Sequence, residues 1–195
     1  MIGQQQKDQA EKWFKDLRDK ICEEFEKLEE DHFKIAPNID IAAKKFERKS
    51  TTRETNDERD GGGGVMATLK GGRIFEKVGV NVSAVYGNLA PEAQKSITAR
   101  KTIPELKDDP RFWASGISLV AHMRNPHTPA IHLNTRMFWT PHAWWFGGGT
   151  DLNPSIQNDE DTIFFHQTLK SRCDMHNKNY YCVNKNLENI RLYLV

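Results

Sequence analysis

The sequence predicts an α+β domain in which an antiparallel β-sheet is flanked by helices. Three observations lead to this prediction. The chain opens with a long amphipathic segment, its middle consists of short β-patterned segments separated by turns, and a second helical pattern follows Pro154. Its 195 residues suit one domain of ordinary size with a core of its own.

Residues 4–33 predict one amphipathic helix. Apolar residues recur there at steps of three and four, with charged residues between them, which is the pattern of a helix that covers one face of a domain. Its dense glutamate and lysine residues predict a solvated outer face. The apolar positions are Ala10, Trp13, Phe14, Leu17, Ile21, Phe25 and Leu28.

The middle of the chain predicts strands. Residues 43–60 are polar and charged and suit either a loop or an exposed edge strand, and a run of four glycines at 61–64 then opens a β-rich region. Residues 88–109 are interpreted as a polar connection. The predicted strands are 65–69, 72–80, 81–86, 115–122, 131–139 and 143–146.

A second helix is predicted to begin after Pro154. Asp159, Glu160 and Asp161 would occupy its first turn, where carboxylates complement the helix dipole. The aromatic run at 144–146 just before it is interpreted as part of the core, since such runs more often pack than stack on ligands.

Composition excludes several classes of function. With 28 basic and 27 acidic residues the net charge is +1, which gives no electrostatic reason to expect a nucleic-acid partner. The mean hydropathy is -0.71, and the longest apolar run is far shorter than the roughly 18 residues of a transmembrane segment, so none is predicted. Three cysteines without close pairing argue against a disulfide framework and fit a reducing cytoplasm. No nucleotide-binding glycine motif is present.

Histidines form the first candidate site. His122 and His132 lie on two neighbouring predicted strands that flank one turn, and His166 lies in the following helix. Three imidazoles could hold a divalent metal such as zinc, manganese or iron. No short metal-binding signature accompanies them, so ordinary hydrogen-bonded histidines are the alternative.

Polar residues on the same strands form the second candidate site. Ser118, Asn134 and Arg136 alternate with apolar neighbours, and Asn134 and Arg136 share a strand face with His132. Arginine offers a planar fork for a carboxylate, and asparagine both donates and accepts hydrogen bonds. The alternative is a polar face that is simply turned to water.

Five segments carry a resemblance to a known family. They are GGGG at 61–64, GGRIFEKVGVNVSAVYG at 71–87, GISLVAHMRNPHTPAIHLNTR at 116–136, WWFGGGTDLNP at 144–154 and EDTIFFHQTLKSRCDMHNKNYY at 160–181. Together they resemble the oxygen-dependent coproporphyrinogen III oxidases, from roughly the first helix to residue 181. Several long blocks in the right order are far more specific than any short motif.

The resemblance implies a reaction in haem biosynthesis. Two propionates of coproporphyrinogen III are oxidatively decarboxylated to vinyl groups, which gives protoporphyrinogen IX. Dioxygen accepts the electrons, and carbon dioxide and hydrogen peroxide leave. It also implies a flat antiparallel sheet between helical layers, a homodimer, a divalent metal such as manganese in some members, and no flavin, haem or nucleotide.

The resemblance further implies roles for individual residues. His132 matches the general acid, or proton donor. The substrate-binding positions it implies are Ser118, Asn134, Thr135 and Arg136. The metal ligands it implies from bacterial members are His122, His132 and His166.

The end of the chain departs from the family pattern. Family members are longer, and after residues 180–181 they continue differently, so residues 1–181 are predicted to be the N-terminal part of a single domain and 182–195 a divergent tail. The expected consequence is a C-terminally truncated chain with little turnover. The alternative function is an inactive fragment that retains only tetrapyrrole or metal binding.

Overall fold

The computed structural model describes residues 3–55, 61–101, 104–181 and 190–194. Within these ranges the chain forms one seven-stranded antiparallel sheet whose strands follow one another in chain order, together with three α-helices. The predicted α+β class and antiparallel sheet are confirmed. The strands are β1 (Glu47–Thr52), β2 (Gly61–Lys70), β3 (Phe75–Asn88), β4 (Arg111–Met123), β5 (Ala130–Trp139), β6 (Trp144–Asn153) and β7 (Ile190–Leu194). The helices are α1 (Gln4–Ile35), α2 (Pro91–Lys101) and α3 (Asp159–Asp174), with a 3₁₀ turn at Pro104–Lys107.

The sheet has two faces of different character. Side chains alternate along each strand, and residues directly opposite each other on paired strands share a face. Val80 pairs with Leu119 and Leu119 with Leu133 on one side, which we call the packed face. Its buried side chains are Ala67, Leu69, Val78, Val80, Val82, Trp113, Ile117, Leu119, Ala121 and Met137. The other side, which we call the open face, carries Asn81, Ser83, Gly116, Ser118, His132, Asn134 and Arg136.

Helix α1 covers the packed face. Phe14 is fully buried and Cys22 nearly so, and the ring of Phe25 stacks on Phe75 with centroids 4.7 Å apart. Phe14 and Phe25 belong to the predicted apolar stripe, whereas Cys22 does not, and Trp13 and Leu28 of the stripe are about half exposed. The helix predicted over 4–33 is confirmed, with an end only two residues later. Among the helices that the structure describes, none combines the length and the apolar character of a membrane-spanning segment.

A buried carboxylate joins α1 to the turn between β2 and β3. Glu29 accepts backbone hydrogen bonds from Arg73 at 2.6 Å, Ile74 at 2.8 Å and Phe75 at 3.0 Å. A Cβ atom on Gly72 would lie 2.5 Å from the Glu29 carboxylate, so only glycine allows this approach. Since buried carboxylates are stable only when hydrogen-bonded, Glu29 fixes the helix against the hairpin.

Three predictions of local structure are wrong. The two strands predicted over 72–80 and 81–86 are one continuous strand, β3. The connection predicted over 88–109 contains α2, which begins at Pro91 with Glu92 in its first turn. Proline at the first helical position and an acidic first turn are helix-start signals, but the segment lacks the apolar periodicity that predicts a helix with a buried face. Strand β6 extends to Asn153 and not to 146, because the glycines at 147–149 continue the strand in spite of their low β-propensity.

Other expectations are confirmed. Residues 47–52 form an exposed edge strand, although 56–60 of the same predicted segment lie outside the described residues. Asn158 caps α3 by accepting from the backbone of Glu160, and the three acidic residues occupy the first turn as predicted. In the segment predicted as a divergent tail, the backbone of β7 pairs antiparallel with β6.

Candidate functional site

A row of hydrogen-bonding side chains crosses three strands of the open face. Asn81 on β3 is directly opposite Ser118 on β4, and Ser118 is directly opposite Asn134 on β5. Asn81 and Ser118 are exposed and Asn134 is half-buried. With Ser83 and Arg136 they line a groove of about 360 Å³. The predicted Ser118, Asn134 and Arg136 therefore do lie together, and the sequence analysis missed Asn81.

Arg136 supplies the positive charge of this groove. Its guanidinium contacts the Asn134 side-chain oxygen at 3.4 Å, and no acidic group of the described chain lies within ion-pair distance of it. Gly116 lies opposite Arg136, and a Cβ atom there would come within 2.7 Å of the Arg136 Cβ. The groove is therefore shallow next to Arg136, because Gly116 has no side chain, and the Arg136 guanidinium is accessible to an anionic ligand.

Thr135 lies on the other side of the sheet. Its register partners are Ile117 and Gly148, which places its side chain on the packed face. Strand alternation explains why the three consecutive residues 134–136 do not point the same way. Asn134 and Arg136 reach the groove, whereas the Thr135 side chain is directed away from it.

His132 is held by an aspartate from the next strand. Its register partner on β6 is Asp151, and the His132 Nδ1 atom lies 2.7 Å from Asp151 Oδ1. The Asn153 amide contacts His132 Nδ1 at 3.3 Å and also donates to Asp151 Oδ1. A carboxylate can only accept, so we assign the proton of this hydrogen bond to Nδ1, which leaves Nε2 as the ring nitrogen outside this hydrogen bond.

The sequence analysis missed Asp151 and Asn153. Both lie beyond the predicted end of the strand at 146, so no register could be assigned to them. The sequence offers one signal for them, which is that they lie two residues apart just after the glycines. If the predicted strand is continued through the glycines, this spacing puts both side chains on the same face of the sheet as His132.

The three candidate metal ligands are not gathered in one place. The rings of His122 and His132 are close, with centroids 6.3 Å apart and planes nearly perpendicular. His166 on α3 instead makes a 2.5 Å hydrogen bond with the Tyr181 hydroxyl, whose pKa is raised chiefly by burial. Across the described ranges, no three His, Cys, Asp or Glu side chains form a group that could hold a metal ion. As arranged here, these residues do not fit a three-histidine metal site.

Aromatic residues border the groove on the same face. Phe138 on β5 stacks on Phe112 with centroids 5.6 Å apart, and on Trp145 with centroids 5.0 Å apart. The prediction that residues 144–146 belong to the core is wrong for two of them, since Trp144 and Phe146 are each about half exposed. They point to the packed-face side of β6, outside the buried core that α1 covers.

The chain is similar in sequence to proteins of one known family. The family model described as coproporphyrinogen III oxidase matches residues 9–193, which includes most of the segment 182–195. The oxygen-dependent coproporphyrinogen-III oxidase of Rickettsia felis is 44% identical over 175 residues, which are 90% of this chain and 57% of that protein. The protein of the same name from Rickettsia conorii is 44% identical over 169 residues, or 87% and 55%.

The chain thus spans little more than half the length of the curated relatives it matches. The family match nevertheless covers nearly all of the chain, including the strands that carry the groove and the His132–Asp151 pair. The chain therefore belongs to the coproporphyrinogen III oxidase family.

Proposed function

We propose that this chain carries out the oxidative decarboxylation of two propionates of coproporphyrinogen III to vinyl groups, which gives protoporphyrinogen IX in haem biosynthesis. Dioxygen is the electron acceptor, as the names of the relatives indicate for those proteins. One observation carries the proposal. The hydrogen-bonded pair of His132 and Asp151 lies on the same face of the sheet as the groove that contains Arg136.

The groove suits a flat substrate with carboxylates on its rim. Arg136 would bind one propionate as a charged fork, while Ser118 and Asn134 would donate hydrogen bonds to the same or a neighbouring propionate. The apolar centre of the macrocycle would lie against the stacked rings beside Arg136, which contribute area without a hydrogen-bonding demand.

His132 would act as the proton donor. Each propionate reacts in the same way. The bond between its carboxylate carbon and the adjacent CH2 carbon breaks, a C–H bond on the CH2 carbon next to the pyrrole ring breaks, and a double bond forms between the two remaining carbons. The two electrons reduce dioxygen to hydrogen peroxide, and carbon dioxide leaves. Starting from a carboxylate, the balance requires one added proton. His132 Nε2 would supply it, since the His132 side chain is 42% exposed.

Asp151 would act through His132 as a positioning residue. Its hydrogen bond to Nδ1 fixes the tautomer and the orientation of the ring, and it stabilises the imidazolium before the proton is given up. Because the described histidines do not form a three-ligand set, the proposal contains no step through a metal.

Two further properties are proposed from the resemblance. We infer that the protein works as a homodimer and in the cytoplasm. The free thiol of Cys22 supports the second inference, since unpaired cysteines are typical of a reducing compartment.

The test is turnover of coproporphyrinogen III by the purified chain in air and under argon, with the tetrapyrrole products separated. We expect protoporphyrinogen only in air, even at the little turnover expected from the sequence. His132→Gln should lower the rate by about 10²–10⁴-fold, the usual contribution of a general acid. Asp151→Asn should lower the rate less and change its pH profile.

His127→Gln is the matched control, because His127 is an exposed histidine of the turn between β4 and β5. It should leave the rate unchanged. The proposal fails if a folded wild-type sample yields no product, if argon makes no difference, or if the His132 variant keeps full activity.

A further inference from the structure

Asn81 is a residue of the open face for which neither the fold nor the proposed roles provide a reason. It lies in the middle of β3 between the buried Val80 and Val82, and its own side chain is exposed. Asparagine is disfavoured at such positions, because it competes with the strand for backbone hydrogen bonds and packs poorly on a pleated surface. Within the described ranges, its carboxamide has no hydrogen-bond partner.

The strand register fixes the position of Asn81 relative to His132 and Arg136. It is two strands away from β5, at the level of Asn134, which lies midway between His132 and Arg136. With about 4.8 Å between strands and about 3.4 Å per residue, Asn81 is roughly 12 Å from each of them at the backbone, and they are about 14 Å from each other. The three residues therefore form a nearly equilateral triangle on one open surface.

The surface between these three residues is low enough to admit a flat ligand, because the open-face residue of β4 inside the triangle is the small Ser118 and glycines flank it on β3 and β4. Gly79 precedes Asn81 on the open face, and a Cβ atom there would meet only the Asn81 amide nitrogen, at 3.9 Å. Gly116 lies on the same face two positions before Ser118 on β4. A ligand with acidic groups on its rim can thus touch all three corners without meeting a bulky side chain between them.

We propose that Asn81 is a third anchor for the tetrapyrrole, in which its carboxamide N–H groups donate to the carboxylate of one propionate while Arg136 binds a second. This inference rests on the proposed function. With two propionates held at these corners, the macrocycle cannot rotate freely, and the propionate at the third corner faces His132. Asn81 would therefore help to select which propionate reacts.

Binding of coproporphyrin III, the stable oxidised tetracarboxylate, by the chain tests the proposal through quenching of tryptophan fluorescence. Asn81→Asp places a like charge against the propionate and should weaken binding by at least about tenfold, whereas Asn81→Ala removes only the hydrogen bond and should weaken it less. Asn38→Asp makes the same change at an exposed site after α1 and should leave binding unchanged.

The tetramethyl ester of the same porphyrin is the second probe. It has no carboxylates, so wild type and Asn81→Asp should bind it equally. In turnover, the Asn81 variants should release more of the intermediate that carries one vinyl and three propionates, because the macrocycle is less firmly placed for the second step.

The outcomes separate this inference from the proposed function. If the folded wild type does not bind coproporphyrin III, the proposed function fails and the anchor fails with it. If Arg136→Gln weakens binding and both Asn81 variants bind as the wild type does, only the third anchor is overturned. Equal weakening of ester and acid binding by Asn81→Asp would also overturn it, since the effect would then be structural.

Discussion

Val80 and Leu119 point into the core from the same two strands on which Asn81 and Ser118 point to the open face. On the packed face, α1 excludes water and the side chains are almost all aliphatic. On the open face, one residue along, the side chains around Asn81 and Ser118 are mostly polar or absent, and aromatic rings border them. The difference arises from the period of two in a β-strand, which lets one backbone serve both a core and a binding surface.

The two faces also use their carboxylates differently. Glu29 is fully buried, and its oxygens accept hydrogen bonds from three backbone N–H groups of one turn. Asp151 is partly exposed and shares a hydrogen bond with a side chain that can titrate, His132. The first carboxylate holds the scaffold together, and the second holds a functional group in place on it. Residues of the open face should therefore be replaceable at little cost in stability.

The largest expected effect on stability comes from removing the buried carboxylate. Glu29→Ala leaves the N–H groups of Arg73, Ile74 and Phe75 without their acceptor in a dry interior, and should lower the free energy of unfolding by about 3–5 kcal/mol. Urea denaturation followed by circular dichroism measures this. Glu30→Ala, next to it on the exposed side, should cost less than about 1 kcal/mol, because Glu30 has only a solvent-exposed ion pair with Lys45. Equal losses for the two variants would contradict the role assigned to Glu29.

The next effect compares the two faces at adjacent positions. Leu119→Ala should lower the free energy of unfolding by about 2–5 kcal/mol through the cavity it leaves in the core. Ser118→Ala should change it by less than about 0.5 kcal/mol, as exposed substitutions usually do.

The affinity for coproporphyrin III should distinguish Ser118→Ala from Leu119→Ala in the opposite order to their stabilities. Ser118→Ala should weaken coproporphyrin III binding, while folded Leu119→Ala should bind it nearly as the wild type does. Urea denaturation and a fluorescence titration of both proteins provide the four values. A Ser118 variant that loses stability but not binding would reverse the assignment of the faces.

Much of this fold is predictable because its signals are local. The apolar stripe of α1 and the alternation in β4 and β5 are properties of short windows, and the structure places them as expected. Helix α2 was missed because its apolar pattern is too weak to identify a buried face. The glycines of β6 have poor strand propensity, and only pairing with β5 makes that segment extended.

The candidate site follows the same rule. His132, Asn134 and Arg136 share a face by spacing alone, so the sequence was sufficient to group them. The pairing of His132 with Asp151 depends on the register between two strands, which no window of the sequence contains. The position of His166 depends on where α3 lies and on its contact with Tyr181, and both are properties of the tertiary structure.

The smallest expected effect is on the reactivity of the Cys22 thiol, which indicates how far water is excluded from the packed face. Burial raises its pKa to about 11, against the opposing influence of Arg48 and Arg18. At pH 8 only about 0.1% of the folded chain would carry the thiolate, so iodoacetamide should modify Cys22 far more slowly in buffer than in urea. Because its pKa is higher in the folded than in the unfolded chain, the stability associated with this thiol is complete below about pH 9 and is lost as the pH rises toward 11.

Peptide mass spectrometry of timed samples measures the labelling, and the urea-unfolded chain is the control. Labelling of folded Cys22 at the unfolded rate would mean that water reaches the interface between α1 and the sheet, and the contrast between the two faces would then be smaller than the burial of their side chains suggests.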